Sequence, residues 1–171
     1  MIIFEDQLAR IVEVLPPLTN GAITQKINFG WGTEEVLTKY LTMAGKLSFP
    51  LIWLAEGEDT NDLREPSVKR NARIIILYES QAPSEFNAYQ HEYDYNVILQ
   101  PVLDNLLIAL TQSGISRYDN TTFRTRRVKN YNVRETETES LVFICNAIVL
   151  NSDITFSGVS SCINTNIDFN N

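Results

Sequence analysis

Three stretches of this chain are apolar on both faces of any strand they could form. "FPLIWLAE" covers residues 49–56, "ARIIILYE" covers 72–79 and "LVFICNAIVL" covers 141–150. Successive side chains of a strand point to opposite faces. Phe49, Leu51 and Trp53 therefore oppose Ile52 and Leu54, and Ile74 and Ile76 oppose Ile75 and Leu77. In the third stretch Leu141, Phe143, Cys145, Ala147 and Val149 oppose Val142, Ile144, Ile148 and Leu150. A sheet with helices on one side needs only one apolar face. Here both faces need cover, because monomers avoid large exposed apolar patches. Helices split between the two faces would give three layers within one chain. Alternatively, a second subunit would cover the spare face of a two-layer domain. We take the second arrangement as the expectation.

The remaining elements follow from periodicity and punctuation. Residues 2–15 place Phe4, Leu8, Ile11, Val12 and Leu15 at helical spacing, and Pro16 and Pro17 end the helix. Residues 23–29 partly alternate, with Ile23, Gln25, Ile27 and Phe29 on one side, as in a short edge strand or an ordered loop. Thr33 caps a second helix that has Glu34 and Glu35 in its first turn and buries Val36, Leu37, Tyr40, Leu41 and Ala44. The charged stretch 57–71 is expected to be a flexible loop between antiparallel strands. A short helix is expected over 84–93. A longer one follows over 94–113, with Pro101 near its start and Gly114 at its end. Thr121–Val133 and Leu141–Phe156 read as two closing strands, with "RETETES" as their turn. The order is helix, possible strand, helix, two strands, helix, two strands. It predicts an α+β domain over residues 1–156, a mainly antiparallel sheet packed with about three helices. Residues 157–171 form a polar tail, or an arm that orders only against a partner.

The chain carries little that signals chemistry. Its 171 residues suit one domain, and 44% hydrophobic with 20% charged residues marks a globular chain. No apolar stretch approaches the roughly 20 residues of a membrane span, and the N-terminus does not read as a signal peptide. Two cysteines, Cys145 and Cys162, do not make a disulfide framework and fit synthesis in a reducing cytoplasm. One histidine, His91, has no neighbouring metal-ligand pattern. "GWGTEE" lacks the lysine of a phosphate loop, and Asp59 and Asp62 lack the spacing of a calcium loop. We expect no cofactor, no metal and no enzymatic activity. The formal net charge of −7 argues against tight, sequence-independent duplex binding.

One charge pattern stands out. Arg117, Arg124, Arg126, Arg127, Lys129 and Arg134 precede Glu135, Glu137 and Glu139. Along a strand Arg124 and Arg126 share one face, while Arg127 and Lys129 share the other. A basic strand beside an acidic tip can pair with a neighbouring subunit, or can simply keep a sheet edge soluble. The candidate interface residues are Asp59, Asp62, Arg64, Lys69 and Arg70 in the 57–71 segment. In the hairpin they are Arg124, Arg126, Arg127, Lys129, Glu135, Glu137 and Glu139. Reversing Arg126 and Arg127 to Glu is expected to impair assembly more than folding.

The order of segments also carries a resemblance over residues 1–156. An N-terminal helix leads to "FGWGTEEV" at a turn into a second helix and then to "FPLIWLAEG". These are followed by "VKRNARIIILYES", the Pro-containing "VILQPVLDNLLIALTQSG" and a closing hairpin with Asp153 near its end. Together they resemble the tail-terminator, or tail-completion, proteins of tailed bacteriophages. The resemblance implies a structural virion protein at the head–tail joint, assembled in the host cytoplasm. It implies copies of the chain in a ring, a hexamer or else a dodecamer, that caps the tail tube and meets the connector. DNA would pass through the channel without specific binding, and no membrane would be involved. Another neck ring or adaptor of the connector is the nearest alternative. A binding module with a pocket beneath Trp53 and the nearby tyrosines is a further one, and an unfamiliar enzyme acting through Asp59, Asp62 or His91 is the last.

Overall fold

A computed structural model describes residues 2–20, 23–43, 49–62, 64, 66–79, 92–131, 145–158 and 163–169. In chain order the elements are α1 (Phe4–Glu13), β1 (Leu18–Asn20), β2 (Ile23–Gln25), β3 (Asn28–Gly32), α2 (Glu34–Met43), β4 (Leu51–Ala55), β5 (Asp59–Asp62) and β6 (Ser67–Glu79). A π-helical segment (Asp94–Leu99) then runs into α3 (Gln100–Gln112), followed by β7 (Ser116–Tyr118), β8 (Arg124–Val128) and β9 (Cys145–Ser157). The expected short helix over 84–93 falls largely outside the described residues, as do His91, Cys162, Arg134, Glu135, Glu137 and Glu139.

The centre of the sheet is the antiparallel pair β6–β9, in unbroken register from Ser67↔Ser157 to Glu79↔Cys145. β4 and β5 pair in turn along the outer side of β6, and β7 and β8 along the outer side of β9. β3 extends the sheet beyond β4, in the one parallel pair among the described residues. The α+β class and the mostly antiparallel sheet agree with the sequence reading.

The layering differs from the expected two-layer domain. Ile52, Leu54, Ile74, Ile76, Ile148 and Leu150 form the first face, beneath α1, the π-helical segment and α3. Leu51, Trp53, Ile75, Leu77, Ala147 and Val149 form the second, beneath Leu37 and Leu41 of α2. The cause is the parallel β3–β4 pair. Parallel neighbours need a crossover connection, and α2 is that crossover. The chain thus covers the apolar half of its own second face. Burying each large side chain there contributes about 1.5–3 kcal/mol, so no second subunit is required for that half.

Local chemistry explains the other departures. The 57–71 segment is not a loop: β5 pairs with the first part of β6, from Asp59↔Arg70 to Asp62↔Ser67. Within the described part of the strand expected over 121–133 only β8 forms, and a separate strand, β7, precedes it across a turn at Asp119. There the Asp119 carboxylate accepts the backbone N–H of Thr121 at 2.8 Å and its hydroxyl at 2.7 Å. In the π-helical segment the Gln100 N–H reaches Tyr95 O, one residue farther than in an α-helix, just before Pro101. Pro101 has no N–H to lose, so the register changes where an α-helical bond could not form. Gly114, at φ +74°, ends α3 in the left-handed region. The C-terminal arm is held by its own chain over 163–169: Ile163, Ile167 and Phe169 pack on the first-face core. The Asn164 N–H donates to Ser113 O at 3.1 Å.

Candidate functional site: the charged half of the second face

α2 covers the second face only where it is apolar. Counting back from Ile75 along β6, the same face carries Arg73, Asn71 and Lys69. Their partners on β9 are Asn151, Asp153 and Thr155. Directly opposed residues of an antiparallel pair share a face. Arg117 of β7 stands opposite Thr155, Arg124 of β8 opposite Asn151 and Arg126 opposite Val149. Five cations, Lys69, Arg73, Arg117, Arg124 and Arg126, therefore occupy one half-face.

Two of the five are matched within the chain. Lys69 Nζ lies 2.8 Å from Asp153 Oδ2, and Asn71 Nδ2 donates to Asp153 Oδ1 at 2.7 Å. The hydrogen bond to Asp153 raises the Lys69 pKa, and the bonds from Lys69 and Asn71 lower that of Asp153. Arg73 Nη1 lies 2.9 Å from Glu34 Oε1 of α2, and its Nη2 donates to the Tyr131 hydroxyl at 3.4 Å. Both partners of that pair are substantially exposed, so it contributes at most about 1 kcal/mol. Among the described residues, Arg117, Arg124 and Arg126 have no carboxylate within ion-pair distance. Arg124 Nη1 instead donates to Phe123 O at 2.8 Å and Thr121 O at 3.2 Å, which steadies it above the Asp119 turn.

The opposite edge has the opposite sign. Glu56 and Glu58 are exposed in the turn between β4 and β5, and no described cation pairs with either. β5 is exposed throughout and adds Asp62. The register sets the height of both edges. The acidic turn lies between the Leu54↔Ile74 and Asp59↔Arg70 pairs. Arg73, between those two positions on β6, faces Asn151, which faces Arg124. The acidic turn and the unpaired arginines thus lie at about the same level on opposite sides of a four-strand width, about 14 Å apart by strand spacing.

A cleft of about 230 Å³ opens between α2 and β8. Leu37, Leu41 and Val128 are its apolar wall, and Glu34, Thr38, Arg73, Arg126 and Tyr131 its polar rim.

The sequence-derived candidates separate on this framework. Lys69, Arg124 and Arg126 come together on the charged half-face. Asp62 reaches it from β5, and its Oδ1 accepts the Arg64 N–H at 2.8 Å. Arg70 and Asp59 face the other way and depart from the interface expectation. Arg70 is only 4% exposed. Its Nη2 lies 2.7 Å from Glu5 Oε1, its Nε 2.6 Å from Asp59 Oδ1, and its guanidinium 4.5 Å from the Phe4 ring centre. Burial works against its charge, but the bonds to Asp59 and Glu5 outweigh burial and raise its pKa. This cluster ties α1 and β5 to β6.

Arg127 lies on the opposite face from Arg126, as strand alternation predicts, and is exposed. It stands opposite Ile148 on the first face, 5.4 Å over the Tyr95 ring, and donates to Asn96 Oδ1 and Gln100 Oε1, both at 3.3 Å. Lys129 is exposed beyond the end of β8. Arg73 and Glu56 were not among the candidates; Arg117 entered only as the first residue of the basic run, and Glu58 only as part of the 57–71 segment. Period-2 counting back from Ile75 was the available signal for Arg73.

Of the residues named for the alternative readings, His91 lies outside the described residues. Trp53 is buried with its indole packed on Gly30, and its Nε1 donates to Gly32 O at 3.2 Å. Burial pushes the Cys145 thiol up to about 12. Among the described residues, no group of three or more His, Cys, Asp or Glu side chains could hold a metal ion. No described helix is long and apolar enough to cross a membrane. Compared with models of known protein families and with curated proteins, the chain matches none.

Proposed function

We propose that this chain is a structural virion subunit that closes into a ring at the head–tail joint of a tailed phage, where the ring caps the tail tube and meets the connector. The observation that carries this reading is the polarity of the sheet. Arginines with no ion-pair partner among the described residues lie along one edge, and glutamates with none lie along the other, at matching height. Such a subunit binds its own copy head to tail. A head-to-tail contact closes into a ring when the rotation between neighbours divides a full turn. The resemblance in segment order supplies the place of that ring, with six copies expected and twelve the alternative. The net charge of −7 suits a channel wall that lets DNA pass without holding it.

Light scattering and negative-stain microscopy of the full chain test the reading, with and without isolated tail tubes. The expected result is a closed ring that weakens as salt rises, because exposed ion pairs are screened. An Arg117→Glu, Arg124→Glu variant is expected to remain folded and to lose the ring. A wild-type chain that stays at the 19.5 kDa monomer mass under all these conditions sinks the proposal.

A further inference from the structure

The ring reading leaves open where the two edges engage, and the following step rests on it. We infer that the cleft between α2 and β8 is a socket for a carboxylate of the neighbouring copy, delivered by that copy's Glu56–Gly57–Glu58 turn.

The cleft already holds one carboxylate, Glu34, whose charge Arg73 matches at 2.9 Å; the second guanidinium on the rim, Arg126, has no carboxylate partner among the described residues. An arginine presents a planar fork of donors that fits a carboxylate in bidentate fashion. The Tyr131 hydroxyl stands on the same rim, hydrogen-bonded to Arg73, and adds a polar group beside the fork. Leu37, Leu41 and Val128 make the opposing wall apolar. A charge pair formed against such a wall is less screened than one in open water. About 230 Å³ is below the range of drug-sized ligand pockets and suits a single side chain.

The key has matching properties. Glu56 and Glu58 are exposed on a turn only three residues long, and neither is matched by a described cation. The Glu56 N–H donates to Gly32 O at 3.3 Å, which fixes the turn against the end of β3. Trp31, 57% exposed, is adjacent and offers the large flat apolar surface that interface centres favour. Glu58 is followed by Asp59, whose bond to Arg70 anchors the other side of the turn. The acids are therefore presented on a braced element, so little ordering entropy is lost on docking.

The test is an exchange of charge between two full-length variants, Arg126→Glu and the double variant Glu56→Arg, Glu58→Arg. Each alone is expected to keep its melting temperature within about 2 °C of wild type, as surface changes do, and to lose the ring. Like charges facing each other are expected to raise the dissociation constant between copies at least about 100-fold. Mixing the two variants pairs each socket with a key of opposite sign. Rings are then expected to reappear, with the variants alternating and the copy number even.

If wild type forms rings and Arg126→Glu forms them equally well, the socket is wrong. The ring reading survives that result, provided that Arg117→Glu with Arg124→Glu still abolishes assembly. If wild type forms no ring, both proposals fall together. If Arg126→Glu leaves the ring intact but abolishes binding of a duplex DNA probe, the cleft serves phosphate and the inference is overturned.

Discussion

Replacing Arg70 by Leu separates the groups that hold this fold from those available to a partner. Arg70 is buried between Glu5 of α1 and Asp59 of β5, with its guanidinium over Phe4. Each hydrogen bond to a charged partner contributes about 1.5–3 kcal/mol, so the two together reach about 3–6 kcal/mol before offsets. Two offsets reduce this. The Glu5 and Asp59 side chains are 19% and 27% exposed and can turn towards water. The buried guanidinium also no longer has to be desolvated, and leucine restores some packing beside Val68 and Ile154.

A net loss of about 2–3 kcal/mol remains, and in a domain of this size it lowers the melting temperature by about 5–10 °C. Thermal denaturation followed by circular dichroism measures it. Adding Asp59→Asn to Arg70→Leu removes one stranded carboxylate and is expected to recover part of the loss. A single Arg70→Leu variant melting within about 2 °C of wild type would refute the latch, since a buried ion pair cannot be broken at so little cost.

Two further outcomes follow from particular contacts. A methyl group at Gly30 would lie 2.6 Å from the Trp53 ring, so Gly30→Ala is expected to displace the indole at a cost of about 1–3 kcal/mol and to shift tryptophan fluorescence to the red. An unchanged emission spectrum and melting temperature would show that the ring does not lie across this glycine. Asp119 and Asp153 have pKa values below the usual 3.8, owing to bonds from Thr121 to Asp119 and from Lys69 and Asn71 to Asp153. Their stabilising contribution is therefore full above about pH 4 and is lost as pH falls through the lowered values. Lys69, with its pKa raised by Asp153, contributes below its ordinary 10.5 and loses that contribution only as pH rises past the raised value. The protection factor of the Thr121 amide, taken against the intrinsic exchange rate at each pH, should fall only below the usual 3.8, where Asp119 loses its charge, and protection already lost above that pH would contradict the assignment.

The elements were largely legible because their signals are local. Phe4, Leu8, Ile11 and Val12 declare a helix by spacing alone, and Ile74–Leu77 a strand that needs cover on both sides. Less legible was β5, whose Asp59-Thr60-Asn61-Asp62 has neither apolar alternation nor branched apolar residues, because an exposed strand buries nothing and selects for nothing hydrophobic. Arg70 and Asp59 read as surface charges for a related reason. A buried ion pair looks like two exposed charges until its partners are placed, and here one partner lies 65 residues away in α1. Arg126 and Arg127, adjacent in sequence and alike in chemistry, separate by strand alternation into a cleft residue and a first-face residue bound to the π-helical segment.

By itself the sequence determined that this chain builds an α+β domain whose sheet needs cover on both sides, because side-chain alternation along one strand requires no knowledge of any other. Tertiary structure alone decided what supplies that cover and which charges remain unmatched. The parallel placement of β3 beside β4 carries α2 across the second face, and the β6–β9 register sets arginines and glutamates level on opposite edges. Both are outcomes of pairing between distant segments, which residue order along the chain does not encode locally.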